Sequence, residues 1–347
     1  MSGLKSTTDN EPENSSVFQS LFYFYTQVLK ITNKEKYKKL CASEKSISLF
    51  MRHDWLNTVV GEDGWDVVLV EQSKDIVAAM PFVHKKKAGF KIITMPVMTP
   101  YLGVWMKYPK GQKYTNKLSY ELSNYEQLIS RLPKFDYYIQ YLHYENTNWL
   151  PFHWQKFQQT TRYTYLLKNL KNPETIFANF RENVRREIKK AEKSLKVAED
   201  ISIEEFYDIQ TKAYKAKKKK LPFSKQYLTN IIKHCVENNC GKFLYAFDKE
   251  LRINAAIFIV WDTQACHYLV GGVLPKYRTS GAISLLLWQA IQFAAQVSRS
   301  FNFEGSMIQP IERYFRAFGG VQTPYFQISK TNSPLLKVRE TLIDLYK

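Results

Sequence analysis

Cysteine is scarce in this chain, which contains only four among 347 residues. They are scattered, and no second pair of Cys or His accompanies Cys235 and Cys240. This spacing argues against a disulfide framework and a zinc ribbon; it predicts reduced, mostly buried thiols and a cytoplasmic location. The six histidines form no HExxH or similar cluster, so we expect no metal site.

The sequence also lacks an apolar run of the roughly 20 residues that a helix needs to span a bilayer. The strongest candidate, 17–31, follows a polar stretch that we expect to be disordered, and it has neither a basic leading region nor a small-residue cleavage site. A signal peptide is therefore not expected. We predict a polar tail and an apolar N-terminal helix within residues 1–35. The helix either packs on the protein or contacts a membrane surface.

Acidic residues are few relative to basic ones. The chain has 32 Asp and Glu against 50 Lys and Arg, which gives a formal charge of +18 and a pI of about 9.5. This excess favours an anionic partner, whether nucleic acid, a phosphorylated cofactor or an acidic lipid surface, although solubility alone is an alternative reason. With 45% hydrophobic residues, the length suggests two domains with sizeable cores.

The same order of elements occurs in each half of the chain. Strand-like runs with β-branched and aromatic residues form a meander, and a helix, a strand, a second helix and a last strand follow. The main segments are 65–71, 75–84, 90–95, 114–131, 135–142 and 163–167 in the first half, and 243–247, 252–261, 266–272, 282–297, 301–304, 311–318 and 325–330 in the second. We predict two α+β units in tandem, each a mostly antiparallel twisted sheet flanked by helices, rather than one continuous sheet. The turn signals at 168–173 place the boundary between 36–168 and 169–347.

The loop before the apolar helix 282–297 has features suited to a phosphate. Lys276 and Arg278 bring positive charge, Thr279 or Ser280 can cap the helix, and Gly281 allows close approach of the backbone. The unpaired N–H groups and partial positive charge of a helix N-terminus attract anions. Any strand–loop–helix turn, however, needs a cap and often a glycine.

These residues resemble a known family. The run from Arg278 through Gly281 to Ala282 resembles the loop by which GNAT-fold acyltransferases hold the pyrophosphate of coenzyme A, with Ile283 replacing a small residue. Segments 303–306 and 311–319 resemble the end of a FemAB-like domain, and 181–193 is similar to the basic helix that opens its catalytic half. The resemblance implies tandem GNAT-like domains and acyl transfer to an amine, from aminoacyl-tRNA in FemAB-like enzymes or from acyl-CoA in other relatives.

The candidate catalytic residues surround the expected cleft. Glu304, predicted at a strand end, is the candidate general base, with capping of the next helix or pairing with Arg316 as the alternative. The resemblance implies a tyrosine acid near Gly319, where Phe315 stands with Tyr314 beside it. Tyr268 and Tyr325 are further candidate acids, or packing residues.

Two basic segments are candidate sites for an anionic substrate. Apolar periodicity predicts one helix over residues 174–196. Its part 181–196 contains seven Lys or Arg against three Glu, and Arg185 and Lys189, one turn apart, can bind one anion together, next to Arg186. The run 215–220 can steer an anionic substrate or contact RNA phosphates. A solvated surface is the alternative for both.

We therefore expect an N-acyl or aminoacyl transferase of FemAB-like type, acting on an amine of a cell-envelope or small-molecule precursor. One alternative is an acyl-CoA-dependent GNAT N-acyltransferase. Another is a non-catalytic RNA- or lipid-binding protein on the same fold. The expected partners are an anionic donor (acyl-CoA or aminoacyl-tRNA), an amine-bearing acceptor and a peripheral membrane contact.

Overall fold

The computed structural model describes residues 31–305 and 307–345, and the predicted tail and nearly all of the helix at 17–31 lie outside this part. The helices are α1 (Asn33–Ser43), α2 (His53–Val60), α3 (Tyr114–Ser130), α4 (Leu150–Trp154), α5 (Pro173–Ala178), α6 (Glu182–Ser194), α7 (Ile203–Ala216), α8 (Lys225–Glu237), α9 (Ala282–Val297), α10 (Gln309–Ala317) and α11 (Pro334–Leu345). The strands are β1 (Trp65–Gln72), β2 (Asp75–Lys87), β3 (Phe90–Thr94), β4 (Trp105–Met106), β5 (Tyr137–Tyr141), β6 (Gln158–Leu167), β7 (Lys196–Ala198), β8 (Gly241–Phe247), β9 (Ile253–Trp261), β10 (Ala265–Val273), β11 (Ser300–Asn302) and β12 (Val321–Thr331).

The strands of both halves form one sheet, in the order β1-β2-β3-β5-β12-β6-β11-β10-β9-β8-β7, with β4 paired to β2. In the first half, β1, β2 and β3 are antiparallel and β5 runs parallel to β3. In the second half, β8, β9 and β10 are antiparallel and β11 runs parallel to β10. The predicted repeat of one α+β unit is therefore confirmed.

The last strands of the two halves have changed places. The last strand of the second half, β12, pairs with β5, whereas β6, the last strand of the first half, pairs with β11. The exchanged strands also pair antiparallel with each other, from Val321 opposite Leu166 to Ser329 opposite Gln158. The two predicted units are present, but the prediction that they do not share one continuous sheet is wrong, because the exchange joins the two sheets edge to edge. The boundary at residues 168–169 stays a prediction.

Helices cover both faces of the sheet in the second half. Nearly every position of β9 is buried, as expected for a strand with apolar residues on both faces. On one face, α9 packs against the sheet, and α6 covers α9 with the apolar stripe of Val184, Ile188 and Ala191. On the other face, α7 and α8 pack with residues of α2 from the first half.

The basic helix predicted as one segment, 174–196, is two helices. A break at Asn179–Arg181 separates α5 from α6, and there the Arg181 N–H donates to the carbonyl oxygen of Ala317, at 2.8 Å. This tertiary hydrogen bond ties the start of α6 to the end of α10. Side-chain periodicity continues across the break, so periodicity alone could not locate it.

Candidate functional site

A cleft opens where β10 and β11 diverge. The two strands pair only over Ala265–His267 of β10, and the last pair joins His267 to Asn302. Beyond this point β10 continues to Val273, with β9 as its neighbour and a register shift between Tyr268 and Val270. One edge of β10 therefore borders a cleft of about 560 Å³, with Glu304 and Tyr314 among its lining residues.

Glu304 lies in a tight turn two residues beyond the end of β11, whereas the predicted strand, 301–304, ends on Glu304 itself. Its backbone is left-handed, with φ +56°, and its N–H donates to Asn302 Oδ1 at 2.9 Å. The same oxygen accepts the Thr164 hydroxyl at 2.5 Å. Gly305 follows with φ +39°, and a Cβ there would lie 2.2 Å from the Tyr163 carbonyl oxygen. A strained non-glycine turn fixed from both sides is typical of functional positions.

His267 holds the Glu304 carboxylate in place. Its Nδ1 hydrogen-bonds Glu304 Oε1, and its side chain is fully buried while that of Glu304 is 14% exposed. Burial raises the pKa of Glu304, and the contact with His267 opposes that rise. The alternative pairing of Glu304 with Arg316 is wrong, because Arg316 Nε binds Glu312 Oε1 at 2.8 Å. The sequence predictions missed His267.

Two of the three candidate tyrosine acids, Tyr268 and Tyr314, line the cleft. The Tyr314 hydroxyl lies 2.7 Å from Ser284 Oγ, and Ser284 donates to Glu187 Oε2 at 2.9 Å. Since the Ser284 proton is directed to Glu187, Tyr314 is the donor to Ser284. Burial raises the pKa of both Tyr268 and Tyr314, so each keeps its proton near neutral pH.

The third candidate, Tyr325, lies outside this cleft. It stands on β12 opposite Arg162, whose Nε donates to the Tyr325 hydroxyl at 3.3 Å. Burial raises the pKa of Tyr325, and Arg162 opposes the rise. Together with Glu304, Tyr325 lines a separate pocket of about 10 Å³, large enough for about one water molecule.

The predicted phosphate turn is partly covered by α6. Gly281 has φ +75°, and a Cβ there would lie 2.9 Å from Glu187 Cγ and 3.0 Å from the Glu187 carbonyl oxygen. The absence of a side chain therefore serves the packing of α6, and not the approach of an anion as predicted. Ser280 Oγ accepts the Ala282 N–H at 3.3 Å. Of the predicted basic pair, Arg278 lines the cleft, while Lys276 is exposed over the Tyr277 ring.

The predicted substrate-binding residues of α6 do not line the cleft. Arg185 donates to the backbone carbonyl oxygens of Ala178 and Phe180, with a distance of 2.9 Å for Phe180. Its guanidinium thus caps the end of α5. This differs from the prediction that it grips an anion with Lys189. Lys189 is exposed, and Arg186 Nε lies 3.7 Å from Glu182 Oε1 on the surface.

The basic run 215–220 borders the cleft on one side and a groove on the other. Lys217 lines the cleft, whereas residues 218–220 line a groove of about 740 Å³ together with Tyr207 and Phe223. The run has no aromatic residue of its own; the fold brings the partly exposed ring of Tyr207 beside it, whereas Phe223 is buried in the core. Lysines next to aromatic rings are suited to a nucleic-acid strand.

The part of the chain that the structure describes contains no group of three His, Cys, Asp or Glu side chains placed to hold a metal ion. Among the helices of the same part, none combines the length and the apolar character needed to cross a membrane.

Comparison with known proteins gives a family for part of the chain and a fold for most of it. Residues 178–305 match the family model of the acetyltransferase (GNAT) domain. This range contains His267 and Glu304 and ends before Tyr314. No curated protein matches the chain.

Solved structures of similar fold cover nearly the whole chain. FemX has a TM-score of 0.62 and 12% identity, covering 84% of this chain and 95% of FemX. The L-PGS of Bacillus licheniformis has a TM-score of 0.51 and 11% identity, with 89% and 96% covered. A conserved protein of unknown function from Bacteroides thetaiotaomicron has a TM-score of 0.50 and 9% identity, with 87% and 99% covered. At these identities the likeness is one of fold.

Proposed function

We propose that this chain, whose residues 178–305 match the acetyltransferase (GNAT) domain and whose fold is that of FemX, is a FemAB-like acyltransferase that transfers an acyl or aminoacyl group from an activated donor to an amine of a cell-envelope or small-molecule precursor. The observation that carries the proposal is the position of Glu304. Its carboxylate is held by His267 in a strained turn at the cleft, where β11 no longer pairs with β10. A carboxylate with a raised pKa at such a cleft is suited to general-base work.

The chemistry follows from the residues that line the cleft. Glu304 takes a proton from the attacking amine as the new C–N bond forms and the bond between the acyl carbon and its leaving atom breaks. In the free protein Tyr314 donates to Ser284; with the donor bound, its hydroxyl turns to the leaving atom, gives that atom its proton and regains one from solvent. Backbone N–H groups on the free edge of β10 can hold amide groups of the donor and the developing oxyanion.

The surroundings of α9 favour a donor other than acyl-CoA. The Glu187 carboxylate already lies at the first turn of α9, bound to Ser284, and α6 covers Gly281. The positive end of a helix is expected to attract a pyrophosphate. At α9, however, the pyrophosphate would meet the negative carboxylate of Glu187. The groove at residues 218–220, lined by lysines and the partly exposed Tyr207, instead suits the phosphates and a base of aminoacyl-tRNA.

The donor can be tested by binding. We expect charged tRNA to bind with steep salt dependence, and acetyl-CoA to leave the melting temperature unchanged. Replacing the lysines at 218–220 with glutamine should weaken tRNA binding at least tenfold. The matched control replaces the lysines at 85–87, an exposed run at the end of β2 in its hairpin with β3. Equal losses from both triple variants would contradict the assignment of the groove.

The runner-up is an acyl-CoA-dependent N-acyltransferase. It is favoured by the match of residues 178–305 to an acetyltransferase domain and by Arg278 on the cleft. This function predicts a thermal shift with acetyl-CoA and transfer of the acetyl group to an amine. Either result would replace tRNA with acyl-CoA as the donor.

We also propose a cytoplasmic location, with a membrane contact limited to the surface. All four cysteines are free, and Cys41, Cys235 and Cys266 are buried, as expected for a chain that folds in a reducing compartment. An excess of 18 positive charges is suited to an acidic lipid surface as well as to tRNA. Fractionation of cells, with and without a high-salt wash, tests both statements.

A further inference from the structure

A buried chain of hydrogen bonds runs from Glu304 into the first half of the molecule. His267 Nδ1 contacts Glu304 Oε1, and His267 Nε2 lies 3.5 Å from the Tyr101 hydroxyl. Tyr101 in turn accepts a hydrogen bond from Ser48 Oγ at 3.2 Å. The side chain of His267 is fully buried and Tyr101 is only 5% exposed.

The neighbouring groups favour one direction for each of these hydrogen bonds. Ser48 donates to Tyr101, so the Tyr101 proton is free to point at His267. Burial raises the pKa of Tyr101 far above its ordinary value, and the hydroxyl therefore keeps that proton. A His267 ring that accepts this proton at Nε2 carries its own proton on Nδ1, where it donates to the Glu304 carboxylate.

Further contacts between the two halves surround this chain of hydrogen bonds. Asp262, in the turn between β9 and β10, accepts the Leu49 N–H at 2.9 Å, which anchors the segment beside Ser48. The Phe50 ring packs edge-on against the His267 ring, with centroids 4.8 Å apart. His143 packs against Tyr101, and burial lowers its pKa to about 3, so it brings no positive charge near His267 at neutral pH.

We propose that His267 is a positioning residue for Glu304, and that the first half of the molecule sets its tautomer through Tyr101 and Ser48. His267 occupies Glu304 Oε1 and leaves Oε2 to take the proton of the acceptor amine. The general base of the second half is then incomplete without the first half. This inference rests on the proposed function of Glu304. The other titratable groups that face the hydrogen-bond chain are Tyr144 and Asp262. When deprotonated, both raise the pKa of Tyr101.

The hydrogen-bond chain can be tested without a substrate, by NMR of the ring nitrogens of the six histidines in the full-length protein. We expect His267 to carry its proton on Nδ1 with Nε2 hydrogen-bonded, and Tyr101→Phe to shift the Nε2 signal. The matched control is Tyr138→Phe, because Tyr138 is equally buried and its hydroxyl donates only to Gln140 at 2.6 Å. A His267 ring protonated on Nε2, or unaffected by Tyr101→Phe, would overturn the inference.

The effect on Glu304 is tested by the pH dependence of transfer, with an aminoacyl-tRNA donor or acetyl-CoA, whichever supports turnover. A hydrogen bond to a carboxylate lowers its pKa, so His267→Leu should move the acidic limb of kcat/KM upward by about one pH unit. His267→Asn retains an N–H near the position of Nδ1 and should restore part of that shift. If Glu304→Gln leaves transfer intact, the general-base role that the proposed function gives to Glu304 fails, and the NMR result still stands. If Glu304→Gln abolishes transfer but the acidic limb of kcat/KM in His267→Leu lies at the wild-type pH, only the positioning role of His267 fails.

Discussion

Substitution of Gly305 by alanine probes the turn that holds Glu304. An added Cβ would lie 2.2 Å from the Tyr163 carbonyl oxygen and 2.5 Å from Thr164 Cα, both backbone atoms of β6 that cannot move independently of the sheet. Overpacking costs about 1–3 kcal/mol and a left-handed backbone about 1–2 kcal/mol, so we expect a total loss of about 2–5 kcal/mol in the free energy of unfolding. The turn should also shift and reduce transfer activity.

Gly111→Ala is the matched control for this prediction. Gly111 has φ +70°, and an added Cβ would meet no atom within 4 Å, so only the backbone cost of about 1–2 kcal/mol applies. Unfolding in urea, monitored by tryptophan fluorescence, measures both variants. If Gly305→Ala is no more destabilised than Gly111→Ala, the reasoning about a turn fixed against β6 is refuted.

Three further predictions concern the neighbouring residues. Arg185→Ala should lower the free energy of unfolding by about 1–3 kcal/mol, because it removes the donor to the carbonyl oxygens at the end of α5. Arg186→Ala should change that free energy little. Equal effects of the two variants on unfolding in urea would argue against the cap. Ser284→Ala should cost about 1–3 kcal/mol in the same assay by leaving Tyr314 without its acceptor, and no loss would contradict the chain to Glu187. The value of kcat/KM should rise with pH through the pKa of Glu304, which lies above the usual range, because only the deprotonated form is a base; a profile that falls over this range would contradict the assignment.

The repeated order of strands could be predicted from the sequence because each strand has its own apolar and β-branched pattern. The observed bounds of β1, β2, β9 and β10 lie close to those of the predicted segments. The exchange of β6 and β12 could not be predicted, because the same alternation suits either neighbour. Pairing across the halves depends on tertiary contacts that no local window contains.

The site was predicted less completely than the fold. Glu304 was found because a carboxylate near a strand end has a recognisable signal, and it does line the cleft. His267 was missed because its partner is 37 positions away and only the pairing of β10 with β11 brings them together. Arg185 illustrates the opposite case: its spacing from Lys189 suits an anion, but the break after α5 provides backbone carbonyl oxygens that bind it first.

The most direct test of the central claim is acyl transfer to an amine by the wild-type chain and by Glu304→Gln, measured by mass spectrometry with charged tRNA and acetyl-CoA as donors. Glutamine fills the same space and can still accept from His267, but it cannot take a proton. We expect the variant to bind the donor as tightly as the wild type, and its kcat to fall by about 10²–10⁴. A variant that transfers the acyl group at the wild-type rate would contradict the account.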